Sequence, residues 1–89
     1  MLLAGIHPHA LKHGLCEKDI AHAWNNAFAC AQRDRDDGKT DYLVVGVDQS
    51  GRVVEIAARS VGWQEFIAFH AMTSPTKRFL HELGVSLRQ

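Results

Sequence analysis

Six histidines in an 89-residue chain are the first pointer to chemistry, because imidazole is the side chain that ordinarily titrates near neutrality. His70 stands out among them. It ends an apolar stretch and precedes Ala71-Met72-Thr73, where a polar side chain can reach a cleft. There it can serve as a general acid or base or contact a phosphate, or it can sit half-buried against a carbonyl. Arg59 closes a β-branched stretch. Such an arginine can clamp a phosphate through paired N–H groups. It can equally pair with Glu55 on the same strand face, in a surface bridge worth about 0–1 kcal/mol. Lys12 and His13 end a short N-terminal helix, where the helix dipole favours cations, and His13 gains a site role if it faces the sheet. Lys77 completes a polar cluster, His70-x-x-Thr73-x-x-Thr76-Lys77. Arg52, at a hairpin turn, reads as a solvated charge that can add a substrate contact.

Other chemistries find little footing. His9 and His13 are four apart and His7 is close, a spacing that can seat a metal on a helix. No HExxH pattern or ligand carboxylate accompanies them, so neither a metal nor another cofactor is expected. There is no GxSxG, P-loop or dinucleotide fingerprint. Cys16 and Cys30, if both lie along one helix, stand about 21 Å apart, too far for a disulfide. Free thiols fit a reduced, intracellular setting.

The elements that must hold these residues are read from periodicity. Leu2 to Ile6 is a short apolar stretch that can form an edge strand. Pro8 suits the first turn of a short helix carrying His9 to His13, with Gly14 as its C-cap. From Glu17 to Gln32, Ile20, Ala23, Trp24, Ala27, Phe28 and Ala31 recur at helical spacing, which predicts one long helix. The charged stretch from Gln32 to Asp41 reads as an exposed loop. Tyr42 to Val47, the turn Asp48 to Gly51, and Arg52 to Arg59 predict a β-hairpin. Alternation puts Val53, Glu55, Ala57 and Arg59 on one face and Arg52, Val54, Ile56 and Ala58 on the other. Trp63 to Met72 predicts a further strand, with Phe66, Ala68, His70 and Met72 sharing a face. Thr76 to Leu83 predicts a short C-terminal helix, capped by Thr73 or Ser74 with Pro75 in its first turn. The expected fold is α+β: N-terminal helices packed on a three- to four-stranded antiparallel sheet, then the short helix. The other sheet face is left open to solvent or a partner.

Composition bounds the answer. Apolar residues make up 46% and charged residues 22%, the balance of one ordinary globular domain rather than a disordered or repeat chain. Ten basic and ten acidic side chains cancel, which argues against a general nucleic-acid coat but not against a local basic patch. No apolar run approaches the roughly 18–20 residues of a membrane span. Met1 to Ile6 lacks the basic start and apolar length of a signal peptide, so a cytoplasmic protein is expected.

Several of these strings together resemble a known family. Lys12-His13-Gly14 leads into Glu17-x-Asp19-Ile20 and an alanine-rich stretch. Leu43-Val44-Val45-Gly46-x-Asp48-x-x-Gly51-Arg52, Val54-Glu55-Ile56-Ala57-Ala58-Arg59 and His70-Ala71-Met72-x-x-x-Thr76-Lys77 follow. From about residue 7 to 82 the chain resembles the small toxins of bacterial type II toxin–antitoxin systems, on the BrnT-like side of the RelE/ParE superfamily. The resemblance implies a metal-independent endoribonuclease acting on mRNA, and a cognate antitoxin that blocks its site. Arg59 matches the family's strand arginine, and Lys12 and His13 match its opening motif. Cys16 stands where the family carries a capping Ser or Thr. On this reading His70, Arg59 and His13 are catalytic, and Lys12, Lys77 and Arg52 contact RNA. The alternative is a non-catalytic interaction module, such as a degenerate toxin or a homodimer, binding a partner through its open sheet face or edge.

Overall fold

A computed structural model describes residues 1–85. Five strands and two helices follow one another: β1 (Leu2–Ile6), α1 (Glu17–Asn25), β2 (Ala27–Asp34), β3 (Thr40–Val47), β4 (Val53–Gly62), β5 (Glu65–Met72) and α2 (Lys77–Leu83). A 3-10 turn at Pro8–Leu11 joins β1 to α1. The strands form one mixed sheet in the order β1-β5-β4-β3-β2. β1 lies parallel to β5, and every other pairing is antiparallel.

This corrects the expected architecture of N-terminal helices on a three- to four-stranded antiparallel sheet. The long helix predicted from Glu17 to Gln32 ends at Asn25. Asn26 takes a non-helical backbone, and its side-chain Nδ2 donates to the His22 carbonyl at 2.8 Å. Asparagine favours such local bonds over the helix ladder. Beyond it, Ala27 to Asp34 pairs along β3, from Ala27 opposite Gly46 to Asp34 opposite Thr40. A full antiparallel ladder outweighs the few tenths of a kcal/mol per residue by which alanine prefers a helix. The expected loop from Gln32 to Asp41 is shorter, since Gln32 to Asp34 and Thr40 to Asp41 are strand, and a turn from Arg35 to Lys39 joins them, with Gly38 at φ +82°.

The sheet is covered on both faces, so the expected open face is half occupied. On one face, Ile20, Ala23 and Trp24 of α1 pack with Val44, Val54, Ile56, Ala58, Phe66, Ala68 and Ala71. Ile20 and Trp24 are almost fully buried, and each contributes about 2 kcal/mol by burial. α1 sits so close that a Cβ on Gly46 would collide with the Ala23 carbonyl oxygen. On the opposite face, Phe79, Leu80 and Leu83 of α2 cover Leu43, Val45 and Ala57.

Two local devices set the ends. The Cys16 N–H and Sγ both lie 3.1 Å from the Asp19 carboxylate at the start of α1. These bonds hold Asp19 below its ordinary pKa. At the β3–β4 turn the buried Asp48 accepts from the Ser50 and Arg52 N–H groups at 2.9 Å. The hairpin expected from Tyr42 to Arg59 is present, with the facial alternation read for Val53 to Arg59.

Candidate active site

The site begins with a carboxylate in an unusual place. Glu55 points to the α2 face of β4 and is only 3% exposed. A buried carboxylate is costly unless hydrogen-bonded. Glu55 has two short bonds, from His70 Nε2 to Oε2 and from the Thr76 N–H to Oε1, both 2.6 Å. Burial pushes its carboxyl pKa up, but the His70 and Thr76 bonds and the adjacent His70 charge outweigh this and hold it below its ordinary value. An ionised carboxylate only accepts, so Nε2 is the donor in this contact and Nδ1 is left for another partner.

His70 reaches Glu55 through an irregularity in β5. Ala57 pairs with His70 and Ala58 with Ala68, leaving Phe69 as an extra residue between them. Such a bulge turns consecutive side chains to one face. Phe69 and His70 therefore both face α2, while Phe66, Ala68 and Ala71 face α1. This corrects the expectation that Phe66, Ala68, His70 and Met72 share a face. The connection to α2 is fixed by Thr73, whose Oγ1 donates to the Val53 carbonyl at 2.7 Å. Thr76, rather than Thr73 or Ser74, caps α2: its Oγ1 accepts from the Phe79 N–H at 3.2 Å.

A cleft of about 460 Å³ opens over this pair, lined by His9, Lys12, Arg33, Glu55, Phe69, His70, Thr76, Arg78 and Glu82 among others. Lys12, Arg33 and Arg78 face two carboxylates, one of them the buried Glu55. The chain is neutral overall, yet this surface carries a basic surplus. Glu82 restrains two of the cations, at 3.4 Å from Arg33 and 3.8 Å from Arg78. His13 does not line the cleft, but its ring meets the His70 ring edge-on, 5.7 Å between centroids at 77°. The glycine after it, Gly14, takes φ +87° and turns the chain at this point.

The remaining candidates lie elsewhere. Arg59 is on the same sheet face but lines an adjoining hollow with His7, His9 and Phe69. It faces Asp41, not Glu55, at 3.7 Å. Lys77 is exposed at the start of α2 and lines neither the cleft nor the hollow; Arg78 takes that place in the cleft. Arg52 is held at the hairpin turn, with Nε 2.6 Å from Asp48 and a guanidinium nitrogen 3.7 Å from Asp19 on the α1 side. His9 and His13 do not share a helix face, because the 3-10 turn stops at Leu11 and His9 packs on His7 instead. Cys16 and Cys30 are both free, with Cys30 on β2 and not on a helix. Among the described residues no three or more His, Cys, Asp or Glu side chains are grouped to hold a metal ion, and no helix is long and apolar enough to cross a membrane.

Sequence reasoning missed Glu55 as a partner of His70, and missed Arg78 and Arg33 as cleft cations. The alternation along β4 already placed Glu55 on the right face. What it could not supply was the bulge that brings His70 there. No family model, curated protein or solved structure matches the chain.

Proposed function

We propose that this protein is a toxin-type, metal-independent endoribonuclease that acts on mRNA in the bacterial cytoplasm and is restrained by a cognate antitoxin. The observation that supports this reading is the meeting of His70 with buried Glu55 and with His13, beside a cleft bearing Lys12, Arg33 and Arg78. Metal-free RNA cleavage needs a base for the 2′-OH, an acid for the 5′-oxygen and cations for the phosphate. His70 Nδ1 would take the 2′-OH proton as the O2′–P bond forms. His13, protonated, would give a proton to O5′ as the P–O5′ bond breaks. The products are a 2′,3′-cyclic phosphate and a free 5′-OH. Glu55 fixes the His70 tautomer and orientation without touching RNA.

A second reading, the non-catalytic interaction module, is favoured by the edge strand β2. It is eight residues long, lacks proline and exposes Phe28, which is 52% accessible. Such an edge can accept a further strand from a partner or a second copy.

Tightly induced expression in a bacterial cytoplasm separates the two. The ribonuclease reading predicts growth arrest and new RNA ends with the wild type and neither with His70→Ala. Normal growth and intact RNA with the wild type would leave the interaction module as the better account.

A further inference from the structure

The hollow beside the cleft has an arginine in surplus. Asp41 is 4% exposed and is flanked by three guanidiniums: Arg33 at 3.7 Å, Arg35 at 3.5 Å and Arg59 at 3.7 Å. The row follows from strand register, since Arg33 and Arg59 both pair across from Asp41. Arg35 and Arg33 have further anions in Asp37 and Glu82. Arg59 has none. Its Nε is buried without a hydrogen-bond partner, and its side chain makes no hydrogen bond among the described residues. The guanidinium is nevertheless held in place, stacked 4.9 Å over the Phe69 ring with Asp41 behind it. The side chain as a whole is 41% exposed, which leaves its Nη donors to a ligand.

Two imidazoles complete the setting. His7, His9, Arg59 and Phe69 line an open hollow of about 260 Å³. His7 Nδ1 accepts from the His9 N–H at 3.1 Å, so the donor nitrogen left on His7 is Nε2. An arginine fork with imidazole donors suits a phosphate dianion or diester. His9 and Phe69 line both this hollow and the cleft, so the two adjoin.

We infer that the His7–His9–Arg59 hollow is a second phosphate subsite, which makes the substrate a polynucleotide carrying a phosphate next to the scissile one. The inference rests on the endoribonuclease reading of the neighbouring cleft. Arg59 on this account positions the strand and takes no part in proton transfer.

Histidine ring C–H signals in NMR titrations provide the test. Inorganic phosphate should shift His7 and His9 saturably in the wild type. Arg59→Gln should weaken that binding about tenfold, the worth of one charged hydrogen bond. His9→Ala, which leaves Asp41 untouched, serves as a second variant should Arg59→Gln fail to fold. Uncleavable 2′-O-methyl RNA extends the test. A trinucleotide, with two phosphates, should bind about tenfold tighter than a dinucleotide, with one. That ratio should fall towards one in either variant. His7 and His9 signals unmoved by phosphate, or a ratio unchanged by the variants, would overturn the inference. Phosphate shifts at His7 and His9, with a dinucleotide that leaves His13 and His70 unmoved, would keep the anion subsite and remove the endoribonuclease reading.

Discussion

Glu55 is a buried carboxylate whose two oxygens are fixed from two directions, by His70 of β5 and by the Thr76 N–H that opens α2. The consequence for stability is signed. The folded protein holds Glu55 ionised to lower pH than its ordinary value of 4.5, so the unfolded chain binds more protons than the folded one in that range. Stability therefore rises with pH there and is fully present above 4.5. It is lost as pH falls through the lower, folded value. Asp48 and Asp19, both also held below their ordinary 3.8, add the same trend at lower pH. Urea midpoints measured from pH 6 down to pH 3 should fall more steeply for the wild type than for Glu55→Gln. Equal slopes would show that the pair does not bias folding. The carboxylate's facing was legible from the alternation Val53, Glu55, Ala57, Arg59. Its partner was not, because reach across strands depends on register, and the extra residue Phe69 shifts that register.

At the scale of elements, the sequence carried two periods at once between Ala23 and Ala31, and only tertiary pairing decided between them. Ala27, Phe28 and Ala31 continue the helical stripe of Ile20 and Trp24. Ala29 and Ala31 also alternate, and they pair with Val45 and Leu43 on the face that α2 covers. The polar pair Asn25-Asn26 was the local signal of the break. The parallel pairing of β1 with β5 had no local signal, since its partners are more than sixty residues apart. The β3–β4 hairpin was legible because its turn chemistry is local: Asp48 bonds to residues two and four ahead, and Gly51 takes φ +82°. Gly46 records the tightest packing of α1 on the sheet. Gly46→Ala should destabilise the fold by about 3 kcal/mol, because its Cβ meets backbone that cannot rotate away. Urea denaturation checks this. A loss under 1 kcal/mol would mean that α1 can lift off β3 at little cost.

At the scale of the molecule, zero net charge conceals an uneven surface. The α2 face gathers Lys12, Arg33, Arg59, Arg78 and four imidazoles, those of His7, His9, His13 and His70, while Arg52 is tied to Asp48 and Asp19 at the hairpin turn. Composition could not show this, because it counts charges without placing them. Among the described residues no strand pairs with the outer sides of β1 and β2, which suits an inhibitory partner that adds a strand.

The central claim is proton transfer by His70 without a metal. The direct measurement is cleavage of a defined RNA by the purified protein in excess EDTA, wild type beside His70→Gln. Glutamine retains a donor for Glu55 but cannot carry a proton. The account predicts 2′,3′-cyclic phosphate ends from the wild type and a rate at least about a hundredfold lower for the variant, the usual share of a general acid or base. RNA left intact by the wild type, or cut equally well by His70→Gln, would contradict it.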